Sequence, residues 1–382
     1  MSQESKHIIV VSGEASGDLH AAHLVEELRR MDSRLTFSGL GGEKMKKSGV
    51  EIYYDLTPMA IIGFVEVWKH YGEIRKVFDL ILKKITDTPT RAVILVDYPG
   101  FNLRLAQAVK KLTIPNLKII YYISPQVWAW KKKRIHQIRD FTDQMLVLFQ
   151  FEKEFYAKHH LDVTFVGHPL VDVVKPTRNR EAILSSLELS AQSSTIGLLP
   201  GSRQKEVETI LPIMIAAAAI LKRKNPSLQF ILCKAPTISR ELIAKHVREN
   251  PLSIKIVEGN AYDGIEACDL CMVTSGTATL ETAILNKPMV VIYKTSFPTW
   301  LLARCLIKIP YIGLVNIVAG KKIVPERIQF DATPEKIAEE LGMIFENPAR
   351  MNQIKSDLTS VKVNLGPSGA SRKTAEEILK II

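Results

Sequence analysis

The stretch Ser275-Gly276-Thr277-Ala278-Thr279-Leu280-Glu281 follows an apolar run, residues 270–273, that predicts a buried strand. A short helix and then a second apolar strand, 289–293, come next, so the segment predicts a β-loop-α-β unit. A turn of small residues between a strand and a helix leaves backbone N–H groups unpaired, and such groups bind anions, commonly diphosphate. Glu281 lies one turn into the helix, where a carboxylate could accept hydrogen bonds from sugar hydroxyls. An ordinary helix cap by Ser275 or Thr277 is the simpler alternative.

The same alternation of strand, turn and helix recurs along the chain and predicts an α/β protein with parallel sheets. Apolar strands are predicted at 8–11, 92–96 and 195–199, each followed by a turn that carries glycine or an acid. Ligands of open α/β sheets bind at such carboxyl ends of strands. Further strands are predicted at 35–40, 118–123, 144–149, 162–166, 229–233 and 254–257. A polar stretch, 175–180, separates two series of these units and predicts a domain boundary between residues 170 and 175.

Composition predicts a folded protein with anionic partners. The chain has 382 residues, 46% of them hydrophobic, with 51 Lys+Arg against 40 Asp+Glu and a net charge of +11. A basic surface favours nucleotides, nucleic acid or anionic membranes. Cys268 and Cys271 form a lone C-x-x-C without further ligands at metal spacing, so we expect apolar fillers there and no metal. The first strand begins too early for a signal peptide, and no apolar run could span a bilayer, so we expect a cytoplasmic protein.

An unusually apolar amphipathic segment extends from about residue 57 to 85. Apolar residues recur there at three- and four-residue steps, with Lys and Arg alongside, and the front of the segment is apolar over more than one face. The segment is either a helix packed on the sheet or a surface that dips into a membrane or holds acyl chains. The residues that would make this contact are Ile61, Ile62, Phe64, Val65, Trp68 and Tyr71.

Several motifs in sequence order resemble those of the lipid-A-disaccharide synthases, glycosyltransferase family 19. They are residues 12–18 (SGEASGD), 124–130 (SPQVWAW), 165–169 (FVGHP), 199–203 (LPGSR), 275–281 (SGTATLE), and Asn316 with Ala319-Gly320 and Gln329. The resemblance extends over essentially the whole chain. It implies the GT-B fold, with two Rossmann-like domains facing a central cleft. It further implies an acceptor and membrane-docking domain at 1–170, a UDP-sugar domain at 175–350, and a C-terminal helix, about 352–382, that packs back on the first domain.

The resemblance also implies a reaction. UDP-2,3-diacylglucosamine would donate its sugar to 2,3-diacylglucosamine 1-phosphate (lipid X), giving the β-1′,6-linked lipid A disaccharide 1-phosphate and UDP. The enzyme would lie peripherally on the anionic inner face of the inner membrane, and an oligomer is possible. The donor would be held by Gly201, Ser202, Arg203, Ser275, Gly276, Thr277, Ala278, Thr279, Glu281 and Asn316. The chain contains no Asp-x-Asp motif, so we expect phosphate neutralisation by Arg203 and backbone amides, with no metal and no cofactor.

An α-linked donor and a β-linked product require inversion, and therefore a general base for the acceptor hydroxyl. Asp97, at the end of the 92–96 strand, is the predicted base, with capping of the following helix as its alternative role. Glu14, Asp18 and His168 are the other candidates.

Two other functions are consistent with parts of the sequence. Another UDP-sugar enzyme of this fold, such as a UDP-N-acetylglucosamine 2-epimerase, would share the nucleotide half without needing the apolar segment. A nucleic-acid-binding protein could use Trp128, Trp130 and the basic run 131–134. Those tryptophans fall on a strand-to-helix turn, whereas base-stacking aromatics usually lie on strands, so we expect no nucleic-acid partner.

Overall fold

A computed structural model describes residues 6–57, 71–129, 134–248, 252–306 and 309–382. The chain divides into two compact units. The first comprises residues 1–169 and 366–382, and the second comprises residues 170–365.

The first unit contains a parallel sheet whose described strands have the order β3-β2-β1-β4-β5-β6-β7. β1 pairs with β2 on one side and with β4 on the other, so the chain reverses its direction of winding between β1 and β4. The strands are β1 (His7–Ser12), β2 (Thr36–Leu40), β3 (Glu51–Tyr54), β4 (Thr90–Val96), β5 (Lys118–Tyr122), β6 (Gln144–Val147) and β7 (Thr164–Phe165).

Helices cover both faces of this sheet, as the apolar strands require. Ile9 and Val11 pack into the core on one face, and Ile8 and Val10 pack into the core on the other. The helices are α1 (Ala15–Met31), α2 (Glu43–Lys47), α3 (Tyr71–Asp87), α4 (Pro99–Lys111), α5 (Arg134–Phe141) and α6 (Gln150–Ala157).

The second unit repeats the same winding, with the strand order β10-β9-β8-β11-β12-β13. Its strands are β8 (Thr195–Leu199), β9 (Gln229–Cys233), β10 (Ile254–Val257), β11 (Leu270–Thr274), β12 (Met289–Tyr293) and β13 (Glu326–Ile328). Its helices are α7 (Leu170–Val173), α8 (Arg180–Ser186), α9 (Gln204–Lys224), α10 (Arg240–Arg248), α11 (Ala261–Glu266), α12 (Ala278–Ile284), α13 (Phe297–Leu306), α14 (Leu314–Ala319), α15 (Pro334–Phe345) and α16 (Pro348–Asn364).

The C-terminal segment returns to the first unit later than the sequence predicts. Helix α17 (Ala370–Leu379) packs on α1, where Ala375 and Ile378 join the core of the first unit. α16 instead belongs to the second unit, because its buried residues Leu358 and Val361 lie on a helix that packs against α12 and α14. The return therefore begins at residue 366 and not near residue 352.

Each predicted strand range contains a strand, and most of these strands are buried. The range 162–166 is the exception in length, because only Thr164 and Phe165 are in a strand there and both are half-buried. The front of the amphipathic segment, residues 58–70, lies outside the described residues, as do Trp130 and the basic residues 131–133. The predicted membrane residues Ile61, Ile62, Phe64, Val65 and Trp68 therefore stay a prediction. Tyr71 is the first described residue of α3.

Gly39 allows β2 to approach β1 closely. Its φ is +154°, and a Cβ built there would lie 1.8 Å from the carbonyl oxygen of Val10. We expect Gly39→Ala to destabilise the protein by about 3 kcal/mol or more, measured by urea unfolding, because neither backbone can move without breaking the sheet. Gly100→Ala is the matched control. That glycine lies in α4 with nothing within 4 Å of its built Cβ, so alanine should stabilise the helix by about 0.5–1 kcal/mol. Equal unfolding midpoints for the two variants would contradict this account.

Candidate active site

A cavity of about 400 Å³ lies in the second unit at the carboxyl edge of the sheet, where β8 and β11 are neighbours. This is the point at which the strand order reverses, and ligands of open α/β sheets bind there. The turn after β8 and the turn after β11 form two of its walls, and the loops that follow β9 and β10 form the rest. The lining residues include Gly201, Ser202, Arg203, Glu206, Cys233, Ala235, Pro236, Gly259, Asn260, Tyr262, Thr274, Ser275, Gly276, Thr277, Ala278 and Glu281.

Residues that line this cavity carry backbone N–H and hydroxyl groups without partners among the described residues. The N–H groups of Gly276, Thr277 and Ala278 donate to no acceptor among the described residues. The buried Oγ1 of Thr274 likewise has no hydrogen-bond partner within the ranges that the structure describes. Gly201 adopts a φ of +112°, which turns the chain into the N-terminus of the 21-residue helix α9. The cavity therefore offers hydrogen-bond donors to an anionic ligand.

The charged side chains of the cavity suit a ligand with phosphate and hydroxyl groups. The Arg203 guanidinium is exposed and lies 2.9 Å from Glu206 Oε1, so it is tethered at the start of α9. Burial raises the pKa of the Glu281 carboxyl. The Tyr262 hydroxyl donates to Glu281 Oε1 at 3.5 Å, and no other side chain among the described residues donates to that carboxyl. That carboxyl retains acceptor capacity for ligand hydroxyls.

Most of the predicted donor residues line this one cavity, but Thr279 and Asn316 do not. Thr279 Oγ1 donates to the Gly276 carbonyl at 2.8 Å and so stabilises the turn from within. Asn316 is fully buried. Its amide donates to Val324 O and Glu326 Oε1 and accepts from the N–H groups of Ile323 and Val324, all at 2.9–3.1 Å. In this structure Asn316 positions the loop before β13.

Sequence reasoning missed the walls formed by residues 233–236 and 259–262. These residues follow the carboxyl ends of β9 and β10, which is the signal that could have found them. Only the sheet order brings these loops beside the turns that follow β8 and β11.

A strained turn carries Asp97 at the equivalent edge of the first unit. Asp97 and Tyr98 have φ values of 48° and 47°, in the left-handed region that residues with side chains rarely adopt. The Asp97 carbonyl accepts hydrogen bonds from Asn102 Nδ2 at 2.8 Å and from the Tyr121 hydroxyl at 2.6 Å, and both hold this conformation. The Tyr98 ring covers Gly13, where an added Cβ would lie 2.2 Å from the ring.

Glu14 lies in the turn after β1 and Asp97 in the turn after β4. These turns are close together because β1 and β4 are neighbouring strands. Burial, followed by the negative charge of Glu14, raises the pKa of Asp97 to about 7. A carboxyl group with a pKa near 7 is matched to proton transfer at neutral pH.

The other two candidates have surroundings that suit a base less well. Asp18 is buried, and its carboxylate accepts from the backbone N–H groups of Gly42, Lys44 and Met45 at 2.7–3.2 Å, so it holds the start of α2. His168 is buried against the Phe149 ring, with centroids 5.1 Å apart. Burial and the neighbouring His20 lower the pKa of His168 to about 3, which keeps the imidazole neutral.

Trp128 and the two cysteines, which suggested other functions, have structural contacts. Trp128 Nε1 donates to the buried Glu152 at 3.2 Å, and the indole packs edge-on against Phe151. Cys268 and Cys271 are buried thiols. In the described ranges no three His, Cys, Asp or Glu side chains are grouped so as to hold a metal ion, and no helix there is long and apolar enough to cross a membrane.

A family model described as lipid-A-disaccharide synthetase matches residues 8–382 of this chain. The chain belongs to the lipid-A-disaccharide synthase family. The family member from Geobacter metallireducens is 40% identical over 378 residues, which cover 99% of this chain and 98% of the relative. The member from Syntrophus aciditrophicus is 42% identical over 379 residues, with the same coverage. The resemblance in the sequence motifs is therefore confirmed, and with it the assignment as a glycosyltransferase of lipid A synthesis.

Solved structures show the GT-B fold predicted for this lipid-A-disaccharide synthase family member. A glycosyltransferase from Rickettsia africae aligns with a TM-score of 0.59 at 14% identity, covering 98% of both chains. A UDP-GlcNAc 2-epimerase from Neisseria meningitidis, bound to UDP-GlcNAc, aligns with a TM-score of 0.64 at 13% identity, covering 98% of this chain and 100% of that one. At such identities the likeness concerns the fold alone.

The raised pKa of Asp97 has a consequence for stability. Its folded pKa of about 7 exceeds the value of about 4 for an unfolded chain, so the group contributes stability below about pH 4 that is lost as pH rises to about 7. Asp97→Asn removes this loss. We expect the variant to gain about 2–3 kcal/mol more over the parent at about pH 8 than at about pH 5, measured by urea unfolding. The preference of Asn for left-handed backbone adds an equal gain at both pH values. A gain independent of pH would contradict the raised pKa.

Proposed function

We propose that this family member transfers the sugar of UDP-2,3-diacylglucosamine to the 6-hydroxyl of 2,3-diacylglucosamine 1-phosphate. The products would be the β-1′,6-linked disaccharide phosphate and UDP. The observation that carries the chemical assignment is the Asp97 carboxyl, held on a strained turn with a pKa near 7 beside Glu14. The central cleft expected from the sequence stays part of this proposal.

The donor would occupy the cavity of the second unit. Its diphosphate would accept hydrogen bonds from the amides of residues 276–278 and from the Arg203 guanidinium, which also balance the charge that develops on the leaving UDP. Glu281 would accept hydrogen bonds from sugar hydroxyls. Thr274 Oγ1, which is buried without a partner among the described residues, would gain one from the ligand.

The reaction would be a single in-line displacement. The acceptor oxygen attacks the anomeric carbon and forms the new C–O bond, while the bond to the diphosphate oxygen breaks and its electron pair leaves with UDP. The acceptor proton passes to the Asp97 carboxylate. Burial, and after it the charge of Glu14, would keep the pKa of Asp97 high enough for it to compete for that proton near neutral pH.

Both substrates carry acyl chains, so the enzyme would work at a membrane surface. Peripheral contact with the anionic inner face of the inner membrane through residues 59–71 is part of this proposal. The net charge of +11 supports attraction to anionic lipid.

The test of the proposed function is product formation from the two purified lipid substrates. Mass spectrometry should detect the disaccharide phosphate, together with one UDP for each disaccharide, and activity should survive EDTA. The alternative of an epimerase is assayed in parallel with UDP-N-acetylglucosamine and with deacylated UDP-glucosamine. Turnover of either of these, without turnover of the acylated pair, would overturn the proposal.

Variants of the two neighbouring acids, Asp97 and Glu14, allow the base to be identified. We expect Asp97→Asn to lower kcat by about 100-fold or more, because the amide cannot accept the proton. Glu14→Gln removes the neighbouring negative charge, so the acid limb of its kcat/KM profile should move from about pH 7 to lower pH while turnover persists. Loss of turnover in Glu14→Gln, with activity retained in Asp97→Asn, would assign the base to Glu14 instead.

The donor cavity is tested by equilibrium binding of UDP, measured by calorimetry. Arg203→Ala should weaken binding by about tenfold or more, because a charged hydrogen bond to phosphate is lost. Arg223→Ala is the matched control, since it is an exposed arginine in the last turn of the same helix, about 30 Å away. Asp97→Asn should bind UDP like the parent. Equal weakening in both arginine variants would argue against this cavity as the UDP site.

A further inference from the structure

A cluster of apolar side chains is exposed on the second unit. Among the described residues, four of the seven exposed large apolar side chains fall between residues 297 and 330: Phe297, Leu301, Ile312 and Phe330. Trp300 joins them, with its ring centroid 5.7 Å from that of Phe297 and 5.3 Å from that of Phe330. We name Phe297, Trp300, Leu301 and Phe330 the aromatic patch. Phe297 is 55% exposed and Phe330 is 66% exposed, so packing in the core of the unit does not account for aromatic residues at these two positions.

Hydrogen bonds connect the two segments that carry the aromatic patch. Phe330 lies in a 3₁₀ turn, Gln329–Asp331, and the other three residues lie on α13. The buried amide of Gln329 joins these two elements, because it accepts from Thr295 N at 3.2 Å and donates to Thr295 O at 2.9 Å. Gln329 adopts a φ of 54° to make this connection. The buried Gln329, in a strained backbone conformation, thus holds the segment of Phe330 against the segment that precedes α13. Such an arrangement of exposed aromatic rings is typical of a binding surface.

The segment that carries α13 and the loop after it holds basic residues and no acidic ones, and Asp331, which follows Phe330, is paired with Lys336. From residue 282 to residue 325 the sequence contains no Asp or Glu, but it contains Lys287, Lys294, Arg304, Lys308, Lys321 and Lys322. The Arg304 guanidinium lies 5.4 Å from the centre of the Trp300 ring. Within the described residues, neither Lys294 nor Arg304 forms an ion pair with an acid, whereas Lys287 pairs with Glu266 and Lys321 with Asp357. These two cations therefore remain available to an external anion.

The aromatic patch lies at the same edge of the sheet as the donor cavity. α13 begins four residues after β12 ends at Tyr293, on the carboxyl side of the strands. The exposed Ile312 belongs to the adjoining loop, and its carbonyl oxygen accepts a hydrogen bond at 3.0 Å from Ser275 Oγ in the cavity wall.

We propose that the aromatic patch, with Lys294 and Arg304, is a second membrane-contact surface, carried by the donor-binding unit and occupied by an anionic lipid bilayer. Aromatic rings beside Lys or Arg are the side chains that settle at the boundary between lipid head groups and acyl chains. The unpaired cations favour an anionic bilayer over a second copy of this basic chain, which would bring like charges together. The inference does not rest on the substrates proposed above, because it concerns lipid binding without turnover.

The test is co-sedimentation of the full-length protein with phosphatidylglycerol-rich vesicles and with phosphatidylcholine vesicles. The double variant Phe297→Ser/Phe330→Ser should bind the phosphatidylglycerol-rich vesicles about tenfold more weakly than the parent. The control Met343→Ser/Val363→Ser also removes two exposed apolar side chains from this unit, 43% and 72% exposed, and should bind like the parent. Arg304→Gln should weaken binding to phosphatidylglycerol-rich vesicles by about fivefold and leave binding to phosphatidylcholine unchanged.

Three results would overturn the inference. One is unchanged vesicle binding by the Phe297/Phe330 variant while an Ile61→Ser/Ile62→Ser/Phe64→Ser variant no longer binds. Another is an equal loss in the control variant. The third is a change in the size of the protein in solution, without a change in vesicle binding, which would assign the aromatic patch to self-association. Thermal unfolding of each variant checks that the fold is retained.

Discussion

The reversal of winding between neighbouring parallel strands is the constraint on which both candidate sites depend. In each sheet the chain leaves the first strand in one direction and returns in the other, so β1 lies beside β4 and β8 beside β11. The turns that follow these strands diverge to opposite faces of the sheet and leave space between them. In the second unit that space is a cavity lined by unpaired amides, and in the first it is the meeting point of Glu14 and Asp97.

The first unit retains two local features that cost stability. Two consecutive residues, Asp97 and Tyr98, adopt left-handed backbone, and the carboxyl group of Asp97 is buried beside another acid. Each feature is unfavourable alone. Asn102 and Tyr121 hold the carbonyl of Asp97 in place by hydrogen bonds. The free energy gained by burying the apolar side chains of β1 and β4 offsets the unfavourable contributions. A site that concentrates strain and a perturbed pKa at a ligand-binding edge is typical of a catalytic group.

The two units divide the chemistry that the proposed reaction needs. In the proposed reaction the second unit would present donors to an anionic leaving group, and the first would present an acceptor for a proton. Lipid contact is proposed for both: residues 59–71 in the first unit and the aromatic patch in the second. An enzyme whose substrates both carry acyl chains would benefit from two such contacts, because each unit could then meet its own substrate at the bilayer surface.

Local sequence determined the strands, the turns after them and the family, because apolar runs, glycine-bearing turns and ordered motifs are properties of neighbouring residues. The structure has strands at the predicted places. Most of the predicted donor residues, such as Arg203 and Glu281, line one cavity. Only the structure distinguished residues that line the cavity from residues that support the fold. Asp18 bonds backbone N–H groups, and Asn316 bonds the loop before β13 and Glu326, whereas Tyr262 and Asn260 line the cavity. It also placed α16 with the second unit and Phe330 beside Trp300. These outcomes depend on which distant elements pack together, and no local pattern specifies that.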